Sequence, residues 1–233
     1  MMQVFRINLK THACGKENKY EKLKFWEQRE WRGKLIDFCL QPKEQHPKEQ
    51  YVAIGWSCAY KGCEDMIHAY ADYYKAAQKW KIDEKKKKDN ASWKIFDETE
   101  EDDLFWTRDL DGNYWICRAK GKAEPKYDKD LDIGAVVPVE AYKVGLEVPG
   151  QICGSFNRVH GGTAQRLTDK LIVEYSKLMF NQYSHIEKYT INSVERKLLE
   201  TLPAEDLEEL VIDYLQITKN YYVLSNSIAN HST

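Results

Sequence analysis

The stretch DDLFWTRDLDGNYWICRAKG, residues 102–121, constrains the fold of this chain more than any other. Two runs of strand-forming residues flank Asp111-Gly112, a pair with the turn chemistry of a β-hairpin. Side chains alternate across a strand, so Leu104, Trp106 and Arg108 share one face of the first arm. Tyr114, Ile116 and Arg118 share one face of the second, while Trp115, Cys117 and Ala119 point the other way. Aromatic bulk on both faces does not suit a sheet that meets water on one side. The pattern calls for a closed or sandwiched sheet whose exterior is partly covered.

Other segments supply partners for this hairpin. VFRINL (4–9) alternates as a strand, and YVAIGWS (51–57) puts Val52, Ile54 and Trp56 on one face against Tyr51, Ala53, Gly55 and Ser57 on the other. Gly55 admits a close approach to the backbone. GAVVPVEAY (134–142) reads as a strand whose Pro138 belongs at an edge or bulge, and QICGSF (151–156) reads as another after the VPG turn at 148–150. RVHGGT (158–163) is a glycine turn that sets Arg158 and His160 on a loop.

Met66, Tyr70, Tyr73 and Ala77 recur at helical spacing, which predicts an amphipathic helix whose aromatics form its buried face. ASWKIF predicts a short helix. REWRGKLIDFCLQPKEQHPKEQ is ambiguous and closed by two prolines, and Lys85 to Lys88 form a solvated run. Five or six strands with one interposed helix make a small mixed barrel, so the expected class is α+β.

At 233 residues and 42% hydrophobic content, the chain holds one compact domain and an appendage. The net charge of −2 and pI near 6.3 carry no global basic signature, so nonspecific nucleic-acid binding by the whole surface is not expected. No apolar run approaches a membrane span and no cleavable leader is visible, so a cytoplasmic protein without a membrane partner is expected.

The six cysteines are scattered as reduced thiols are. Cys58 and Cys63, with His12 and Cys14 upstream, lack a CxxC pair, and no metal is assigned. Phosphate-cradling, dinucleotide and nucleophile-elbow motifs are missing from the sequence. Nothing orients His160 toward Cys153, so no catalytic residue and no cofactor are assigned.

The order of these segments is itself informative. A strand ending IGWS, a tyrosine-rich helix, a short helix before an acidic turn, the LFWTRDLDGNYWICRAKG hairpin and a VPG turn together resemble the PUA-like superfamily, in particular its EVE and YTH-like sensor domains. The resemblance covers residues 1–163 and implies a pseudo-barrel whose aromatic pocket accepts a modified base. Such domains carry a Gly-Asp turn before the first hairpin strand, where this chain has Asp102-Asp103.

After residue 163 the pattern becomes helical: AQRLTDKLIVEYSKLMFNQY and INSVERKLLETL read as helices, giving a helical linker over 164–200. LPAEDLEELVIDYLQITKNYYVLSNS (202–227) starts a helix at Pro203 and sets Leu207, Leu210, Val211, Tyr214 and Leu215 on one stripe. This segment resembles the opening helix and first strand of Mrr-type, restriction-endonuclease-like domains, which implies that 201–233 begin a nuclease domain. In that family the metal-binding acid and the lysine lie on later strands, so the resemblance implies either the front of a larger nuclease, with a downstream nuclease domain, or a relic that has lost the catalytic half. Glu208 and Glu209 match first-helix acids, but no metal-ligand partner is visible for them.

A base sensor joined to such a nuclease is the layout of a modification-dependent restriction enzyme, a type IV system in anti-phage defence. The partner implied is double-stranded DNA carrying a modified base, and a homodimer follows from the need to cut both strands. Trp56, Trp106 and Trp115 are the candidate walls for an extruded base, with Tyr114 behind them and Ser57 on the base edge. Arg108, Arg118, Arg158 and Lys120 are the candidate phosphate contacts. Two further readings stand beside this one: an RNA-binding PUA-like module, and a protein-interaction module in which the helical half docks a partner through Leu207, Leu210 and Tyr214.

Overall fold

A computed structural model describes residues 2–10, 25–41, 49–83, 91–157, 162–194, 204–219 and 221. The strands are β1 (Val4–Ile7), β2 (Gln50–Ile54), β3 (Leu104–Arg108), β4 (Tyr114–Ala119), β5 (Glu124–Asp128), β6 (Ile133–Gly145) and β7 (Ala164–Arg166). The helices are α1 (Phe25–Leu40), α2 (Tyr70–Asp83), α3 (Ala91–Glu98), α4 (Gly150–Asn157), α5 (Lys170–Ser184) and α6 (Ala204–Lys219).

The hairpin forms as its alternation requires. Trp106 lies opposite Ile116 and Arg108 opposite Tyr114. The Asp109 carboxylate closes the turn by accepting from the amides of Asp111 (3.0 Å) and Asn113 (2.8 Å), and Gly112 takes a φ of 87°. The strands form one mixed sheet in the order β2-β6-β4-β3-β1-β7, with β5 also paired to β6, and the sheet curls into a half-barrel with flanking helices. Among the described strands only the β1–β3 pair is parallel.

Both faces of the hairpin are covered. Phe105, Trp115, Cys117 and Ala119 join a core closed by Leu35, Ile36 and Leu40 of α1, Tyr73 of α2 and Trp93 of α3. Leu104, Trp106, Tyr114 and Ile116 join a second core closed by Ile152 and Phe156 of α4 and by Ile172 and Phe180 of α5. Thus α5, which lies in the stretch read as a linker, seals one face of the sheet. Its N-cap is Asp169, whose carboxylate accepts from the Leu171 and Ile172 amides at 2.9 and 3.3 Å.

Several expectations change. Residues 151–156 are helical, not a strand: the amides of Ile152 and Cys153 both donate to the Pro149 carbonyl, and Ile152, Ser155 and Phe156 bury one side at helical spacing. Among the described residues four α-helices precede residue 163: α2 and α3 where helices were read, α4, and α1, which fills the ambiguous stretch before the two prolines. Met66 is 72% exposed in a short 3₁₀ turn ahead of α2, whereas Tyr70, Tyr73 and Ala77 are buried as their spacing predicts.

Pro138 is in the long β6 rather than at an edge. It sits where β6 exchanges its β5 neighbour for β4, so the ring that lacks an N–H falls at a change of partner. A seventh strand, β7, follows residue 163, and residues 191–194 are not helical. Arg158, His160, His12, Cys14 and Lys85 to Lys88 lie outside the described residues. The stripe on α6 forms, with Leu210, Val211, Tyr214 and Ile217 exposed. Among the described residues no helix is long and apolar enough to cross a membrane.

Candidate functional site

Beyond the end of β2, Trp56 adopts φ 67° and ψ 44°. This left-handed conformation is costly for a bulky residue, by about 1–3 kcal/mol, and persists only where the surroundings over-determine it. They do so here. The Tyr73 hydroxyl donates to the Gly55 carbonyl at 2.6 Å, and the amide and hydroxyl of Ser57 donate to Asp132 Oδ1 at 3.0 and 2.7 Å. Asp132 is itself left-handed (φ 54°), and the Tyr60 hydroxyl donates to the Gly134 carbonyl at 2.8 Å.

Glycine is required at this contact. A Cβ on Gly134 would stand 2.4 Å from the Tyr73 ring and 2.6 Å from the Gly55 carbonyl. Residues 55–57 and 132–134 therefore grip each other backbone to backbone. Burial pushes the Tyr60 and Tyr73 hydroxyls far up in pKa, so both stay neutral donors.

The grip sets the Trp56 ring, half-buried, at the rim of the first core. It meets Trp93 edge-on at 5.1 Å between centroids, and Tyr74 packs 5.9 Å from Trp93. The Lys81 ammonium lies 4.8 Å from the Trp93 ring and 5.6 Å from that of Trp56. Tyr74 and Lys81 are seven residues apart on α2, hence on one face. This arrangement offers an aromatic surface with a cation beside it, suited to a flat ring, while the Asp132 carboxylate is engaged with Ser57.

The other residues expected in a pocket are placed elsewhere. Trp106 is fully buried in the second core, donates from Nε1 to Ser176 Oγ at 2.8 Å and stacks on Tyr175 at 6.1 Å. Tyr114 packs edge-on to Phe156 in the same core. Trp115 is 7% exposed in the first core, its indole N–H bound to Asp109 Oδ2 at 3.0 Å. Since β2 and β4 run the same way on either side of β6, Trp56 beyond the end of β2 and Trp115 near the start of β4 lie at opposite ends of the sheet. Of the five, the structure brings together Trp56 and Ser57. Trp93, Tyr74 and Lys81 join them, and their helical spacing was legible in sequence but not their convergence.

The candidate phosphate contacts also separate. Arg118 is held between Asp102 and Glu140, each at 2.8 Å, over the Phe180 ring. Burial raises the pKa of both carboxyls, but Lys188 and Arg118 around Asp102, and Tyr142 and Arg118 around Glu140, outweigh it and leave both below the usual carboxylate range. Lys120 is exposed on the strand end. Arg108, at the opposite end from Trp56, donates to Asn157 Oδ1 at 3.0 Å.

Asp102 has φ 72°, and its carbonyl accepts from the Tyr189 hydroxyl at 2.7 Å. A groove of about 600 Å³ beyond α5, lined by Leu178, Asn181, Tyr189 and Ile191 among others, is separate from the aromatic site. Among the described residues no three His, Cys, Asp or Glu side chains converge as a metal-ligand set, and the described cysteines are free thiols. Comparison of the chain with protein-family models, curated proteins and solved structures finds no match in any of the three.

Proposed function

We propose that the chain is a DNA-binding sensor of PUA-like, EVE-related type, in which Trp56 receives a modified base turned out of the duplex. The observation that carries this reading is the half-buried Trp56, held in a left-handed conformation beside Trp93 and Lys81. Strain of this kind is maintained where a side chain has to be presented. A second support is Asp102, which takes at the foot of the hairpin the backbone conformation that glycine supplies in the resembled domains.

Stacking on one aromatic is worth about 1–3 kcal/mol per base, comparable with the few kcal/mol that extrusion costs. A cation beside the stack favours an electron-rich ring. In the restriction system that the sequence resembles, cleavage would come from a nuclease domain downstream and from a second copy of the chain.

The test is a titration of the chain against short duplexes that are unmodified or carry 5-methylcytosine, 5-hydroxymethylcytosine, glucosylated cytosine or N6-methyladenine, with single-stranded RNA in parallel. One modified duplex is expected to bind selectively. Trp56→Ala is expected to weaken that binding by about tenfold or more, the loss of one stacking platform, while the variant melts cooperatively. Equal binding of every duplex, or unchanged selectivity in Trp56→Ala, overturns the reading, and preference for RNA moves the site to an RNA ligand.

A further inference from the structure

At the end of the sheet away from Trp56, cations from three segments converge. β1 runs on to Leu9 and Lys10, and α1 crosses this end, where Arg32 Nε donates to the Leu9 carbonyl at 3.0 Å. Gly33 lies against the hairpin turn, its Cβ position 3.2 Å from Leu110. Arg6 is buried, donates to the Gly162 carbonyl at 2.6 Å, and lies 5.7 Å from the Phe156 ring. Arg108 lies 5.5 Å from that same ring.

No carboxylate among the described residues pairs with Lys10, Arg29, Arg32 or Arg108. The groups acting on one another here are alike in sign. Burial lowers the pKa of Arg32, and Arg108 and Arg29 lower it further; burial lowers that of Lys10, and Arg32 and Arg6 add to it. Such an assembly, in a chain with 37 acidic residues against 35 basic ones, gathers like charges without a carboxylate partner among the described residues. Other partly buried cations have carboxylate partners, as Arg118 does with Asp102 and Glu140 and Lys177 with Glu174.

We propose that this end of the sheet is a phosphate-binding site, with Arg32 and Arg108 as the contacting guanidiniums and Lys10 and Arg29 as the charge around them. A phosphate fits because guanidinium forks match its oxygens and its charge relieves the mutual repulsion. Arg6, bound to backbone carbonyls, adds fixed positive potential from beneath. The site is a strand's length from Trp56 and does not depend on the base-recognition reading. Its phosphate is either that of a nucleic-acid backbone or a free phosphate compound.

Two measurements on the intact chain test the site and separate these sources. The first is the melting temperature in inorganic phosphate against chloride of equal ionic strength. The second is affinity for an unmodified duplex as a function of salt. Each is made on wild type, Arg32→Gln, Arg108→Gln and the exposed Arg29→Gln, with Lys122→Gln as a charge-matched control on another surface.

Phosphate is expected to raise the melting temperature of the wild type and of Lys122→Gln, and to lose that effect in Arg32→Gln and Arg108→Gln. If the natural phosphate is a DNA backbone, each of these variants also lowers the slope of log affinity against log salt by about 0.9, one contact's worth. If it is a free compound, the phosphate response is lost while duplex binding is unchanged. Melting without phosphate reports folding, and Arg29→Gln, free of packing demands, weakens the response even where another variant misfolds. Equal stabilisation by phosphate and chloride, with duplex affinity and slope identical in all variants, overturns the proposal. Trp56→Ala is expected to keep the phosphate response whatever it does to base selectivity.

Discussion

The two ends of the sheet share one pair of cores and differ in how they finish. At the β2 end the polar groups that hold the backbone of Trp56 turn inward on one another: Ser57 on Asp132, Tyr73 on the Gly55 carbonyl, Tyr60 on the Gly134 carbonyl. The cost there is held in backbone conformation, at Trp56 and Asp132. At the β1 end the described residues with positive φ, Gly112 and Gly145, are glycines that bear it freely, and the cost is electrostatic, held in Arg32, Arg108 and their neighbours. The contrast teaches that a fully packed sheet leaves its ends as the places where unfavourable terms can be kept, and unfavourable terms are what a ligand can relieve.

The comparison breaks most sharply at Gly134. Gly134→Ala drives a methyl into the Tyr73 ring and the Gly55 carbonyl, and a loss of about 3 kcal/mol is expected from overpacking of a site that has backbone on one side. Urea denaturation measures it. A loss below about 1 kcal/mol would mean that the grip between residues 55 and 134 yields, and that Trp56 is not rigidly presented.

A smaller change sharpens the strain itself. Glycine adopts the left-handed region freely and alanine does not, so Trp56→Gly is expected to be more stable than Trp56→Ala by about 1 kcal/mol. Equal midpoints in urea would show that the positive φ at residue 56 relaxes once the ring is gone.

The smallest effect concerns a cation that has its acids, as a foil for the cluster that lacks them. Asp102 and Glu140 have folded-state pKa values below the unfolded ones, which are about 4. Their contribution to stability is therefore complete above the unfolded value and is lost as pH falls through the folded value. Arg118→Gln is expected to flatten this acid limb by about 1 kcal/mol or less, because both carboxylates are near one-third exposed and screened. Melting between pH 6 and about pH 2.5 in wild type and variant reads the difference.

Much of the fold was legible because period-two alternation is local. The two faces of the hairpin follow from counting, and both cores are divided as that count requires. QICGSF was misread because a short apolar run does not distinguish strand from helix, and the decision rests on Pro149 accepting two amides at a helix start. Asp102 holds a positive φ because Asp is among the residues that tolerate the left-handed region, with Arg118, Lys188 and Tyr189 fixing it.

The sites were less legible. Arg108 and Arg118 look equivalent in sequence, on the same hairpin face, yet register delivers two carboxylates to one and a group of cations to the other. Residues 6, 10, 29, 32 and 108 form no motif, and only the parallel pairing of β1 with β3 and the crossing of α1 assemble them. The left-handed Trp56 has no signature beyond the glycine before it.

The exposed stripe of α6 carries a consequence for how the chain breathes. Sixteen residues lie near the length at which a helix alone in water is only marginally stable. With Leu210, Val211, Tyr214 and Ile217 open to solvent, its amides exchange hydrogen by local fraying, whereas those of β3 and β4, sealed on both faces, exchange only when the sheet opens. A protease added in trace amount is therefore expected to cut within α6 before it cuts β3 or β4.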